Sequence, residues 1–563
     1  MTAIDYGEVT RRGAGPHLLP RRLTWDHATF GLFGAVILLV ILTFRQYGIT
    51  WDEDVHNWYG VFVLDYYVSW FKDSRALTWL NLYNYGAAFD MIAAAVNRIS
   101  PFGTYETRHL LNGLVGVLGL VGTWKLARFM AGPRAGFIAA VLLVTIPNYY
   151  GQMFNNPKDI PFAVGAIWSL YYTVRIIPAL PRPSWSLVLK LGIAVGMSLG
   201  VRVGGLLLLA YVGVVVGAFA VWRGVETRRI GGFITAGWVA GLRVMPLMLL
   251  VAYPVMLLFW PWAQQDPIDH PLQTLDYFSH VTFPFSTLFA GYYFPATDLP
   301  WAYLPTHILL ALPELTLLLA ATALPAAFVI ELRRPGGPDR TRSLQYGVIA
   351  LAALFPVAYA VVIKAVLFDG MRHFIFVLPP MAIGAALIGE NLIERLRNFR
   401  WRRAVMAVLA VYGLGHLAIM GMLHPDEYVY YNGFIGGVKG ADGLFKTDYW
   451  ANSYAEAVGG LSDFLQTQYG ADFEDRDFTV AVCGPPISAD YFFPSNFVFT
   501  ENRETADFFI AFTKDDCNKT LPGREIYRVE KMGALLSVVL DRRGMISHTP
   551  PPVRAAPVTA AAP

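Results

Sequence analysis

The chain has 563 residues, 55% of them hydrophobic and only 15% charged, with a mean hydropathy of +0.43. A soluble domain carries about 25% charge, so this composition excludes an ordinary globular protein and fits a polytopic α-helical membrane protein. The net charge of +3 gives no electrostatic case for nucleic acid as a partner.

Residues 1–28 are polar and hold Arg11, Arg12, Arg21 and Arg22. The apolar run after them ends in "FRQYGITW", without a small-residue cleavage site, and reads as an uncleaved first span. A twin-arginine export signal is the rival reading of the Arg pairs; positive-inside anchoring is the simpler one. Hydropathy then predicts about eleven spans, near 29–46, 107–126, 135–153, 160–177, 186–203, 205–222, 238–262, 305–331, 345–364, 373–392 and 403–422. The 238–262 region holds Arg243 and also reads as an interfacial helix followed by a span.

The connections alternate in charge. "KLARFMAGPR", "RIIPALPRP", "WRGVETRRIGG", "ELRRPGGPDRTR" and "ERLRNFRWRR" are basic, whereas "FNNPKDIPF", "WAQQDPIDHPLQ" and "KAVLFDGMRH" are poor in basic residues. That alternation predicts a cytoplasmic N-terminus and an extracytoplasmic C-terminal region. The membrane body would be 29–422, with large outer loops at 47–106 and 264–304 and an outer α/β domain at 423–549. In the first loop, "VFVLDYYVSWF" and "GAAFDMIAAAVNRI" read as amphipathic helices on the membrane surface. In the outer domain, "FTVAVCG", "DFFIAFT", "EIYRV" and "ALLSVVLD" read as strands and "SYAEAVGGLSDFLQTQYG" as a helix. Cys483 and Cys517 are the only cysteines and lack zinc spacing; a disulfide and two buried thiols are both open readings. The tail 550–563 is expected to be disordered.

Chemistry is sought where charge meets the outer membrane boundary, because it is costly there unless solvated or paired. "GITWDEDVHNWYG" directly follows the first span and packs Asp52, Glu53, Asp54 and His56 together. "FNNPKDIPF" places Lys158 and Asp159 in a very short loop between spans three and four. Asp52 and Asp159 could act together on a hydroxyl, as general base and orienting partner. The alternative is that Asp159 caps span four and Lys158 snorkels. "KAVLFDGMRHFIFVLPP" supplies Lys364, Arg372 and His373, where Arg372 suits a bidentate phosphate contact and Lys364 a point charge. Interfacial anchoring explains either cation alone. Arg108 in "YETRHLL" and Arg202 in "GVRVGG" are further outer-side candidates. A divalent metal ion is weighed for Glu53 and His56, with His270, His280 and His307 in or beside the second large loop. No tight ligand spacing supports it.

Taken in order, these stretches resemble the GT-C glycosyltransferases that use polyprenyl- or dolichyl-phosphate sugars, such as protein O-mannosyltransferases and aminoarabinose or galacturonic acid transferases. The resemblance rests on "DE" with a nearby His (Asp52, Glu53, His56), "TRHLLNGLVGVLGLVGTWKLARFMAGPRAGFIAAVLLVTIPNYYGQ", "FNNPKDIPF" and "MRHFIFVLPPMAIGAALIGENLIE", across roughly 29–400. It implies an inverting transfer from a polyprenyl-phosphate-linked sugar to an envelope acceptor (glycolipid, polysaccharide or protein) on the extracytoplasmic face of a bacterial inner membrane. By motif, Asp52 matches the base, Asp159 the second-loop carboxylate and Arg372 the arginine near the carrier phosphate, with Glu53 beside the base. Lys364, Lys158 and Arg108 would assist with the phosphate, and His56 and His373 would support. The chain departs from the family in the extra acid Asp54, in His373 where Tyr is usual, and in its C-terminal portion, which leaves the acceptor open.

Two other function classes compete. A lipid-linked-sugar flippase would favour inverted repeats and broken spans; "GIAVGMSLGVRVGG" is its best feature, and no repeat relates the halves. A non-catalytic envelope assembly protein would leave Asp52, Asp159 and Arg372 without a purpose.

Overall fold

The computed structural model describes residues 24–280, 285–332 and 339–545. The arginines of residues 1–22, the tail at 550–563, part of "ELRRPGGPDRTR" and the side chain of His280 lie outside the described residues.

Among the described residues, eight helices are long and apolar enough to cross a bilayer: Trp25–Thr43, Thr104–Ala131, Asp159–Ala179, Val203–Thr227, Ile230–Leu258, Arg340–Val362, Arg372–Asn398 and Arg402–Leu423. The chain is an integral membrane protein. A ninth span is broken, Pro133–Val144 meeting Pro147–Asn155 at a 67° bend. Pro147 causes the break, since it lacks an amide hydrogen and disfavours helical backbone at Ile146. Two further helices, the 15-residue Trp185–Leu199 and the 19-residue Glu314–Leu332, stand where the remaining expected spans fall, so eleven is reached only by counting them. The expected 305–331 span is divided at Pro313 into Tyr303–Ala311 and Glu314–Leu332. By contrast, 230–258 is one continuous helix despite Pro246 and Pro254, and Arg243 lies 5.2 Å from the Trp185 ring.

Small residues let the central helices approach closely. On Thr104–Ala131, Gly116 and Gly119 accommodate Met153 and Tyr149, and the Tyr149 hydroxyl donates to the Gly116 carbonyl at 2.9 Å. The first loop folds as Glu53–Val68 and Ala88–Asn97, which pack on each other and bury Tyr59, Phe62, Val63, Ala93 and Ala94. These are the two amphipathic segments read from the sequence, with the first beginning eight residues earlier.

Beyond Leu423 the chain forms a five-stranded sheet in the order Phe497–Phe499, Phe478–Val482, Phe508–Phe512, Ala534–Asp541, Arg524–Lys531. The first three strands run parallel and the other pairings are antiparallel. Tyr454–Tyr469 buries Ala457, Leu461 and Leu465 in the same apolar core as the sheet. The Phe497–Phe499 strand was not expected from its sequence, whereas the other four and the helix were. Cys483 and Cys517 are disulfide-bonded.

One asparagine joins this region to the membrane helices. Asn452 Oδ1 accepts from the Gly48 amide and from Asn155 Nδ2, each at 2.9 Å, while its Nδ2 donates to Asp426 at 2.6 Å. Gly48 is required by the approach: a Cβ there would stand 2.1 Å from the Asn452 carbonyl oxygen. Gly48→Ala should therefore lower stability by about 1–3 kcal/mol, read as an earlier thermal unfolding transition of the detergent-solubilised protein.

Candidate active site

The turn after the first span is tied down by its second acid. The Thr50 amide donates to Glu53 Oε2 at 2.8 Å, the Thr50 hydroxyl donates to the Asn155 carbonyl at 2.9 Å, and His109 Nε2 lies 3.0 Å from Glu53 Oε1. Glu53 is fully buried and committed to these contacts. Asp54 accepts from the Tyr105 hydroxyl at 2.7 Å. Asp52, at the N-terminal boundary of the Glu53–Val68 helix, is left to meet Arg372, whose Nη1 donates to its Oδ2 at 2.7 Å.

A second pair forms beside it. The bend at Pro147 directs Asn155 and Asn156 to the head of the Asp159–Ile176 helix. Asn156 Oδ1 accepts from the Asp159 amide at 2.9 Å, and its Nδ2 donates to Asp159 Oδ2 at 3.0 Å. The other carboxylate oxygen of Asp159 forms an ion pair with Arg202, whose Nη1 lies 2.7 Å away. Between the two pairs lies Lys158, its Nζ 3.1 Å from the centre of the Tyr85 ring.

The local field follows from these charges. Burial alone would raise the Asp52 carboxyl, but Arg372, with His56 and Lys158, outweighs it and holds Asp52 down to about 2. Burial pushes the Lys158 ammonium well below the ordinary lysine range, Arg202 adds to this, and Asp159 and Asp52 oppose it.

The remaining expected residues divide. His373 adjoins Arg372 and sets its ring edge-on to Phe368, 4.8 Å between centres. His56 and Arg108 lie behind the pair, sharing a buried carboxylate: His56 Nδ1 is 2.8 Å from Asp90 Oδ2, and Arg108 Nη2 donates to Asp90 Oδ1 at 2.5 Å. Arg108 is 1% exposed, so it faces Asp90 and not an opening. Lys364 is exposed, in left-handed backbone (φ +50°), and makes no ion pair among the described residues. Among the described residues, no three His, Cys, Asp or Glu side chains gather to hold a metal ion. Glu53 and His56 have separate partners, His270 stacks on Trp262 at 4.0 Å and His307 packs against Tyr303 at 4.6 Å.

Sequence reasoning missed four charged residues around this site: Asp90, Asp369, Lys446 and Lys514. Asp369 was within the quoted "KAVLFDGMRH", three residues from Arg372, and Asp90 is the lone acid of an apolar helix. The lysines come from beyond the last span, as does Trp450, whose ring centre lies 5.1 Å from the Arg372 guanidinium.

Residues 86–257 match the family model described as dolichyl-phosphate-mannose-protein mannosyltransferase. Among solved structures, the chain resembles ArnT from Cupriavidus metallidurans in the apo state, with a TM-score of 0.50, 13% identity, and 92% of this chain and 98% of that chain covered. The fold is that of the GT-C glycosyltransferases. ArnT bound to undecaprenyl phosphate gives a TM-score of 0.48 at 14% identity, covering 91% of this chain and 98% of that one. Archaeoglobus fulgidus AglB, an oligosaccharyltransferase in complex with an inhibitory peptide and a dolichol-phosphate, gives 0.47 at 11% identity, with 81% of this chain and 62% of that chain covered. No curated protein sequence matches the chain. In this GT-C fold both acid–arginine pairs sit where apolar helices end, Asp52 nine residues after Thr43 and Asp159 at the head of its helix.

Proposed function

We propose that the protein is a membrane glycosyltransferase that moves a sugar from a polyprenyl-phosphate carrier to an envelope acceptor, with inversion at the anomeric carbon. The observation that carries the reading is the pairing of Asp52 with Arg372 beside Asp159 with Arg202. Such a site can offer a base to a hydroxyl and cations to a phosphate. The mannosyltransferase family match and the undecaprenyl phosphate bound by ArnT support the carrier class.

In this reading Asp52 takes the proton as the acceptor oxygen bonds to the anomeric carbon. The bond from that carbon to the carrier oxygen breaks, and its electron pair leaves on the phosphate. Arg372 and Lys158 meet the growing phosphate charge, while Arg202 and Asn156 hold Asp159 in place. The site faces the extracytoplasmic side of a bacterial inner membrane, the N-terminus is cytoplasmic, and 423–549 forms the outer domain over the body at 29–422.

The test is release of free undecaprenyl phosphate from a lipid-linked sugar by the protein in proteoliposomes with an envelope extract. Wild type should release it, and Asp159→Asn should be slower by about 10²-fold. Equal rates in empty and protein-bearing vesicles, across the common lipid-linked sugars, would remove the assignment.

A further inference from the structure

Asp369 lies in the turn before Arg372 and is 3% exposed. Three cations surround it without touching it: Lys446 Nζ and Lys514 Nζ stand 3.7 and 3.8 Å from Oδ1, and Arg372 Nη2 stands 3.8 Å from Oδ2. These separations are too long for hydrogen bonds, although the neighbouring arginine–aspartate pairs close at 2.7 Å. Asp369 Oδ1 and Arg372 Nε are both buried without a hydrogen-bond partner. Native interiors seldom leave such atoms unmet.

The surroundings hold this gap open. Lys446 donates to the Ser286 carbonyl at 2.8 Å and lies 3.4 Å from Asp515, itself largely exposed. Lys514 donates to the Tyr449 carbonyl at 3.3 Å and sits 4.8 Å from the Trp51 ring centre. The next two residues, Asp515 and Asp516, both adopt left-handed backbone at φ +53° and +56°, a costly conformation for residues with side chains. The Cys483–Cys517 bond and the Tyr293 hydroxyl, which donates to Asp516 at 3.2 Å, fasten this turn. Burial pushes the Lys446 ammonium below the ordinary lysine range, Asp369 opposes that, and Lys514 adds to it. An anion settling between the lysines would relieve both.

We propose that Lys446 and Lys514, with Arg372, form a second anion subsite that takes an acidic group, phosphate or carboxylate, carried by the acceptor. Assigning the anion to the acceptor rests on the glycosyltransfer reading. Arg372 divides the cluster: Lys158 lies on the side of Asp52 and Asp159, at the head of a membrane helix, and suits the lipid carrier, while Arg202 there is paired with Asp159. Lys446 and Lys514 lie on the Asp369 side and come from the polar C-terminal region. A protonated oxygen on the same ligand would meet Asp369 Oδ1.

The test uses the full-length protein in nanodiscs, with undecaprenyl phosphate and inorganic phosphate as probes. With the carrier saturating, inorganic phosphate should still bind the wild type. Lys446→Gln and Lys514→Gln should each weaken phosphate about tenfold and leave carrier affinity within about twofold. Lys514→Arg should retain phosphate binding, which separates lost charge from a lost fold. The proposal is overturned if the carrier displaces phosphate competitively, if the lysine variants weaken both probes equally, or if wild type binds no phosphate. It is also overturned if phosphate binding ignores the lysines. Should phosphate behave as expected while undecaprenyl phosphate fails to bind, the subsite stands and the carrier reading falls.

Discussion

Asp52→Asn is expected to lower sugar transfer by about 10³-fold while leaving the protein folded in the membrane. Asn keeps the shape of the side chain and can still accept from Arg372, but it cannot take a proton. In the unliganded site Arg372 holds the Asp52 carboxylate at about 2, a poor base for a hydroxyl. A carrier phosphate that draws Arg372 to itself removes the nearest positive charge and raises the basicity of Asp52 as the reaction needs it. In the proposed glycosyltransfer reading, carrier binding would thus arm Asp52 as the base. The sign of the pH dependence follows. A carboxyl depressed on folding contributes stability that is fully present above its unfolded value near 3.8 and is lost as pH falls through about 2. Across pH 5–8 Asp52 stays ionised in the unliganded protein, so its pairing contributes a constant amount there. Below pH 4 the wild type should lose thermal stability faster than Asp52→Asn. Parallel unfolding curves for the two proteins from pH 5 to pH 2.5, or transfer by Asp52→Asn near the wild-type rate, would remove Asp52 from its role.

The spans were legible because a bilayer demands about twenty apolar residues in a row, and the chain supplies such runs between arginine-bearing connections. The breaks were not legible: 135–153 and 305–331 read as unbroken spans, and a proline alone does not decide the matter, since Pro147 and Pro313 interrupt their helices while Pro246 and Pro254 do not. Convergence of Asp52, Asp159 and Arg372 was read from the order of the motifs and the family resemblance they carry, and not from periodicity. Asp52 and Arg372 are 320 positions apart, and no periodicity announces that two loop residues will meet. Arg108 shows the cost: an arginine at the head of a span reads the same whether it faces a cleft or a buried Asp90. Lys446 and Lys514 were hidden for the opposite reason. They lie in a polar region where lysines are ordinary, and only the docking of that region on the membrane helices makes them part of the site. Phe497–Phe499 escaped because three residues are too few to show alternation.

Arg372→Ala should be the more damaging change, because it fails in two ways at once. The guanidinium serves Asp52 at 2.7 Å and Asp369 at 3.8 Å, and it lies 4.8 Å from the Phe368 ring centre and 5.1 Å from that of Trp450. Its removal leaves two carboxylates short of their counter-charge and, in the proposed reading, deletes the cation offered to the carrier phosphate. Breaking a buried pair costs about 3–5 kcal/mol; Asp52 keeps a side chain 37% open to water, so the loss should fall nearer about 1–2 kcal/mol once screening is counted. Arg372→Lys separates the two failures. Lysine restores the charge and much of the stability but cannot bridge Asp52 and a phosphate in the same plane, so carrier affinity should remain about tenfold weaker than wild type. Adding Asp52→Asn to Arg372→Ala should recover thermal stability, since the acid left unpaired is then neutral, without recovering transfer. A double variant less stable than Arg372→Ala alone would mean that Asp52 and Arg372 do not share the energy of one ion pair. Carrier affinity unchanged in Arg372→Ala would leave the arginine as a strut for the acids.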